Sequence, residues 1–127
     1  MNSKKIRPIV LIVCLSLLIV FVLCLKVRGY LKDQLFQAIS YGDRIKVETL
    51  LKWDAPVNAT TSGKVTYTPL IYNVDSRNDI GIAEVLIKHG ADVNAENNSG
   101  DTQFHWATAR GKKQMVIFLL SYGADVS

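Results

Sequence analysis

Two histidines and a few carboxylates are the side chains whose types could support acid–base or metal chemistry. His89 and His105 each lack a second His or Cys at the spacing of a metal site. Asp75 and Asp79 are four residues apart, but they flank a turn and have no general-acid partner. No serine lies in a Gly-x-Ser-x-Gly turn, and no glycine loop with a lysine could hold a phosphate. The sequence therefore predicts no catalytic, cofactor-binding or metal site.

Other chemical motifs are equally sparse. Cys14 and Cys24 both lie in a hydrophobic run, so the rest of the chain holds neither a disulfide framework nor a thiolate zinc site. Glycosylation patterns occur at Asn58-Ala59-Thr60 and Asn97-Asn98-Ser99. Such short matches are often accidental, and we assign no modification to them.

The net charge of +4 is unevenly distributed. Residues 1–29 carry five basic and no acidic side chains, whereas residues 30–127 carry ten basic and eleven acidic ones, a net charge of −1. A nucleic-acid-binding protein has its basic side chains on the folded part. We therefore expect no nucleic acid partner.

Residues 9–25 form an uninterrupted uncharged run that is apolar on every face. As a helix at ~1.5 Å per residue it spans about 25 Å, and the flanking Lys26 and Arg28 can extend this toward a ~30 Å hydrocarbon core. A buried core helix would not be bracketed by basic residues in this way. The run predicts a single-pass membrane anchor.

A cleaved secretory signal is the alternative for this segment. The run is longer than the ~7–15 residues of such signals, and no small-x-small cleavage site follows it. Three basic residues lie on each flank, so the positive-inside rule does not decide the orientation. The signal-like form favours a repeat domain on the non-cytoplasmic (periplasmic) side, and the cytoplasmic side stays open.

The remainder of the chain contains an internal repeat. Residues 88–94 (KHGADVN) return 33 residues later as residues 121–127 (SYGADVS), and residues 52–58 (KWDAPVN) are a degenerate copy. A second signature, Thr68-Pro69-Leu70-Ile71, returns at Thr102–Ala107. A fixed period of this length indicates repeated units that stack on one another.

These residues resemble the ankyrin repeat, which has this period and a Thr-Pro-Leu-His pattern. The resemblance implies an all-α solenoid of helix-turn-helix units with β-turn fingers, which follows one N-terminal hydrophobic helix. The expected domains are an anchor (1–29), a linker (30–33) and an ankyrin-repeat domain (34–127). The expected repeats cover about 34–59, 60–95 and 96–127. His105 takes the place of a structural histidine of the family.

The predicted helix ends carry suitable residues. Thr68 and Thr102 suit N-caps, and Pro69 suits a first helical position. A left-handed residue is expected after each second helix, where the sequence has Asp54, Gly90 and Gly123. The turn of repeat 2 contains one additional residue, so its geometry stays open.

The resemblance also implies a concave binding surface made by the finger tips and the exposed side of the first helices. Tyr67 and Arg110 are the residue types there that tend to dominate binding energy, and a core role for Trp106 stays open. Carried over position by position, the surface includes Lys64, Tyr67, Glu96, Asn98, Asp101, Trp106 and Arg110.

The last predicted helix is unusually apolar. Met115 to Leu120 are six apolar residues in succession, although a terminal repeat should have a polar outer face. We predict that Met115, Ile117 and Phe118 form a docking surface for a partner or for self-association with a second copy. Two alternatives stay open: Phe118 folds back onto its own helix pair, or the native chain is longer.

The predicted function is that of a membrane-anchored ankyrin adaptor, or an inhibitor or immunity-type binder, that captures a protein near the membrane. The alternatives are a structural subunit of a membrane complex and a soluble binder secreted after signal cleavage. The sequence does not identify the partner.

Overall fold

The structure is a computed structural model that describes residues 3–126, so Ser127, the last residue of the third motif copy, lies outside the described residues. Within this range the chain is all-α, as predicted, and divides into two compact units between Tyr30 and Leu31. Its helices are α1 (Ser3–Tyr41), α2 (Arg44–Lys52), α3 (Pro69–Ser76), α4 (Ile80–Lys88), α5 (Gln103–Ala109) and α6 (Lys113–Ser121).

The described part of the first unit is helical and exposed at every residue. It contains the apolar run, whose mean hydropathy reaches 3.2 over 18 residues. By length and composition this helix could cross a membrane. Residues 30–33, expected as a linker between the anchor and the repeats, are helical and lie within α1.

The second unit stacks three helix pairs. The end of α1 is joined to α2 by the two-residue turn Gly42-Asp43, α3 pairs with α4 and α5 with α6, and α2 packs on α4 and α3 on α5. One continuous core runs through all three pairs because each pair buries apolar side chains against its neighbour. Its largest fully buried side chains include Leu35, Ile39, Leu70, Ile82, Leu86, Met115 and Leu119.

The helix N-termini confirm the predicted caps. The Thr68 hydroxyl accepts a hydrogen bond from the N–H of Ile71 at 3.2 Å, and Pro69 is the first residue of α3. Thr102 caps α5 in the same way. In the turns between paired helices, Asp43 and Asp79 cap α2 and α4 through their side chains.

The expected left-handed residues also have positive φ angles. Asp54 has φ 65°, and its equivalents Gly90 and Gly123 have φ 94° and 84°. In the longer turn of repeat 2, Asn78 adopts φ 55°, in a region that asparagine tolerates better than most residues. The buried Asn73 stabilises this turn by donating its Nδ2 hydrogen to the carbonyl of Asp79 at 2.8 Å.

Asparagine side chains connect the fingers of successive repeats. Asn58 donates to the Gly90 carbonyl at 2.9 Å and accepts from the Asp92 N–H at 2.8 Å. Asn94 makes the equivalent pair of bonds to the Gly123 carbonyl (3.3 Å) and the Asp125 N–H (2.7 Å). Both atoms of each amide are therefore engaged within the fold.

Asn98 joins the tip of the finger of repeat 3 to the tip of the finger of repeat 2. Its Oδ1 accepts from the Thr66 N–H at 3.0 Å, and its Nδ2 donates to the Lys64 carbonyl at 2.7 Å. Its own N–H donates to the Thr66 hydroxyl at 3.0 Å. The longer finger of repeat 2 is thereby fastened to the finger of repeat 3.

The capping pattern predicts how two substitutions will change stability. Lys112 stands where the other turns have Asp43 and Asp79, and it makes no side-chain cap bond to α6. Lys112→Asp should therefore raise the free energy of unfolding by about 1 kcal/mol, and Asp79→Ala should lower it by about 1 kcal/mol. Urea unfolding of the detergent-solubilised chain, followed by helical circular dichroism, measures both. If Lys112→Asp leaves the midpoint unchanged while Asp79→Ala lowers it, the last repeat does not follow the capping rule of the others.

The finger-tip bonds predict a loss of stability in Asn98→Ala. This change removes two hydrogen bonds and leaves the Thr66 N–H without its partner, so unfolding should become easier by about 1 kcal/mol. Glu96→Ala, on the exposed part of the same finger, is the matched control and should be neutral. Equal unfolding midpoints for the two variants would contradict a structural role for Asn98.

Candidate functional site

Four aromatic side chains form a continuous row across the three repeats. We call Phe36, Tyr72, Tyr67 and Trp106 the aromatic row. Ring centroids are 5.3 Å apart for Phe36 and Tyr72, 6.1 Å for Tyr72 and Tyr67, and 5.6 Å for Tyr67 and Trp106. All four are half-buried, so each packs against the fold and keeps part of its surface open to a partner.

Arg110 lies at the end of the aromatic row. Its guanidinium carbon is 5.1 Å from the centroid of the Trp106 ring, a cation–π geometry. It also forms an ion pair with the carboxylate of Asp75, which lies on the neighbouring repeat. These two contacts hold the guanidinium in place, so binding a partner would cost less side-chain entropy than it would at a freely moving arginine.

An open pocket of about 350 Å³ adjoins this end of the row. It is lined by Asp101, His105, Trp106, Ala109 and Arg110. Three residues predicted from the sequence (Asp101, Trp106 and Arg110) therefore share one pocket, and Tyr67 contacts it through Trp106. The pocket offers a carboxylate, a guanidinium and an aromatic ring, which can recognise a polar or aromatic side chain.

His105 has the structural role that was predicted for it. Its Nδ1 accepts a hydrogen bond from the backbone N–H of Thr102 at 3.1 Å, while the Thr102 hydroxyl accepts from the His105 N–H at 3.4 Å. This reciprocal pair closes the first turn of α5. Because Nδ1 is the acceptor, the proton of the neutral ring is on Nε2.

The other predicted finger residues do not join the aromatic row. Lys64 and Glu96 are exposed at the fingers, and the side chain of Asn98 is engaged in the bonds between finger tips. Phe36 belongs to the row but was not predicted, because the first repeat lacks the Thr-Pro signature that would have marked its register.

The structure corrects the predicted surface on α6. Met115 is 0% exposed and belongs to the core, so a partner cannot reach it in the folded state. Phe118 is half-buried, and its ring lies 4.9 Å from that of Tyr122. Only Ile117 is freely exposed, at 68%. The cause is helical periodicity, which turns Met115 and Leu119 inward and Ile117 outward.

Within residues 3–126 no group of three or more His, Cys, Asp or Glu side chains is arranged to hold a metal ion. The described geometry combines half-buried aromatic rings with one arginine that contacts both a ring and a carboxylate.

Comparison with known proteins identifies relatives of this chain. An ankyrin-repeat protein of Fowlpox virus (strain NVSL) is 44% identical over 63 residues, 50% of this chain and 9% of the relative. A B-cell lymphoma 3 protein homolog of Mus musculus is 36% identical over 104 residues, 80% of this chain and 22% of the relative. An ankyrin-repeat protein of Acanthamoeba polyphaga mimivirus is 30% identical over 91 residues, 72% of this chain and 12% of the relative.

This chain spans less than a quarter of the length of each of these relatives. Residues 35–127 match the family described as ankyrin repeats (3 copies), nearly the whole of the second unit. The period, the caps, the left-handed turns and the stacked helix pairs agree with that match. The chain belongs to the ankyrin-repeat family, whose units serve as protein–protein interaction modules.

Proposed function

We propose that this chain is a membrane-anchored ankyrin-repeat protein that captures a protein partner through the aromatic row and its adjoining pocket. The observation that carries the proposal is the row itself, because four half-buried rings and a fixed arginine cross all three repeats. Tyr, Trp and Arg are the residue types most enriched where binding energy concentrates. No catalytic step is assigned to it.

The proposed domains are an anchor in residues 1–29 and a binding domain in residues 34–127. The hydropathy of the apolar run supports the anchor, because so many exposed apolar side chains would be costly to keep in water. The proposed location is a single-pass membrane protein with the repeats on the non-cytoplasmic side. N-terminal sequencing of the mature protein separates this from a secreted form, which would have lost residues 1–29.

An adaptor and an inhibitor or immunity-type binder would use the same surface. They differ in whether binding lowers the activity of the partner.

A second candidate function, a structural subunit or self-associating protein, is favoured by one observation. An open groove of about 310 Å³ at the last repeat is lined by apolar and basic residues that include Ala107, Val116 and Ile117. A partner subunit or a second copy could cover it.

The aromatic row predicts which substitutions will abolish capture. Trp106→Ala and Tyr67→Ala each remove a ring that supports its neighbours in the row, and each should weaken partner binding about tenfold or more. Tyr41→Ala is the matched control, since Tyr41 is an exposed tyrosine outside the row. Affinity capture from native membranes with the three tagged variants identifies the partner and measures how much of it is retained.

The result expected is a protein retained by the wild type and by Tyr41→Ala and lost from both row variants, with helicity unchanged. A partner retained equally by all four proteins would place its binding surface outside the aromatic row. A further variant, Ile117→Glu, changes the exposed residue of the groove at the last repeat. If this variant loses the partner and the row variants keep it, the second candidate function is the better one.

A further inference from the structure

A second set of exposed aromatic side chains lies at the ends of the second helices. Trp53, His89 and Tyr122 are the C-cap residues of α2, α4 and α6 and occupy equivalent positions in the three repeats. Trp53 is 69% exposed, Tyr122 is 42% exposed, and His89 is exposed as well. Lys52 and Lys88 precede the first two. We call these five residues the helix-end edge.

Hydrogen bonds hold the helix-end edge together along the stack. Asn58, five residues after Trp53, donates to the carbonyl of Gly90, which directly follows His89. Asn94, five residues after His89, donates to the carbonyl of Gly123, which directly follows Tyr122. The three helix ends therefore lie side by side, roughly 10 Å apart from one repeat to the next.

The side chains of the helix-end edge have the chemistry of a membrane–water interface. Trp and Tyr concentrate at the level of lipid headgroups, where the ring is shielded from water and its polar group stays hydrated. Lysines beside them can approach lipid phosphates. Asp54 and Asp92 follow the same helix ends, so the charge along the edge is mixed. The aromatic rings rather than net positive charge would provide the contact.

The chain also limits how far Leu31, the first residue of the second unit, can be from the end of the apolar run. The apolar run ends at Leu25, and the six residues to Leu31 reach at most about 20 Å when fully extended. Residues 31–41 and α2 are antiparallel, since only Gly42 and Asp43 separate the two helices. Trp53, at the end of α2, therefore lies at the same end of this pair as Leu31, where the chain enters the second unit.

We propose that the helix-end edge rests in the lipid headgroup layer of the membrane that holds residues 9–25. This inference rests on the proposed anchor and adds a second, peripheral contact to it. Such a contact would fix the orientation of the repeats at the membrane surface and leave the aromatic row, on other side chains, available to a protein.

The chain contains only two tryptophans, which provides a direct test. Trp53 belongs to the edge and Trp106 to the aromatic row. The full chain is reconstituted in phosphatidylcholine vesicles whose acyl chains are brominated near the headgroup. The wild type should lose most of its Trp53 emission and keep that of Trp106, so Trp53→Phe should abolish the quenching. Equal fractional quenching of the wild type and Trp53→Phe would overturn the proposal.

A matched control distinguishes the edge from the first repeat in general. Ile45 is 79% exposed and lies near the other end of α2, about 12 Å from Trp53 along the helix axis. The double variant Ile45→Trp, Trp53→Phe therefore places a tryptophan on the same helix but away from the edge, and its emission should not be quenched beyond that of Trp53→Phe. Quenching there equal to that of the wild type would overturn the edge-specific contact.

Flotation of the same vesicles after a carbonate wash separates this inference from the proposed function. A chain that floats but shows no quenching of Trp53 keeps its anchor and overturns the headgroup contact. A chain that does not float overturns the anchor and, with it, the contact that depends on the anchor.

Discussion

The burial of apolar side chains between successive helix pairs is the interaction on which the second unit depends. Equivalent positions show it directly. Thr49 in the first pair is exposed, whereas its equivalent Val85 is buried in the second pair, where α4 packs on α2. At another set of equivalent positions, Val47 and Ala83 are fully buried in the first two pairs, and Val116 in the third pair is half-buried. With three repeats the stack has few such interfaces, so each contributes a large share of the stability.

Stacking also creates the proposed binding surface. No single repeat contains more than two members of the aromatic row, and the rings meet only because neighbouring first helices and fingers are held in register. The Asn58, Asn94 and Asn98 bonds set that register at the fingers. The ion pair between Arg110 and Asp75 joins the last two repeats within the site itself. A change that loosens the stack should therefore weaken binding even when it touches no partner.

Much of the fold could be predicted from the sequence, because the signals are local. Thr68, Pro69 and Asp54 specify a cap, a first turn and a left-handed residue through their own conformational preferences. Contacts between repeats were harder to predict, because each joins two residues that are about 30 positions apart in the sequence. Asn98 was predicted to face a partner, and the structure adds bonds from its side chain to a neighbouring finger. Met115 was wrongly predicted to lie on a docking surface. The prediction treated the apolar run as a whole, and only the helical period separates its buried positions from its exposed ones. In the proposed binding surface, residue type identified Tyr67, Trp106 and Arg110, but only the structure added Phe36.

Site-specific photocrosslinking tests most directly whether the aromatic row is the surface that binds. A photoreactive amino acid replaces Ala109, an exposed residue that lines the pocket, and in a second protein it replaces Gln114, an exposed residue of α6 outside the pocket. In native membranes the first protein should crosslink to one partner, and Trp106→Ala in the same chain should abolish that crosslink. A partner that crosslinks from position 114 and not from position 109 would contradict the proposed binding surface.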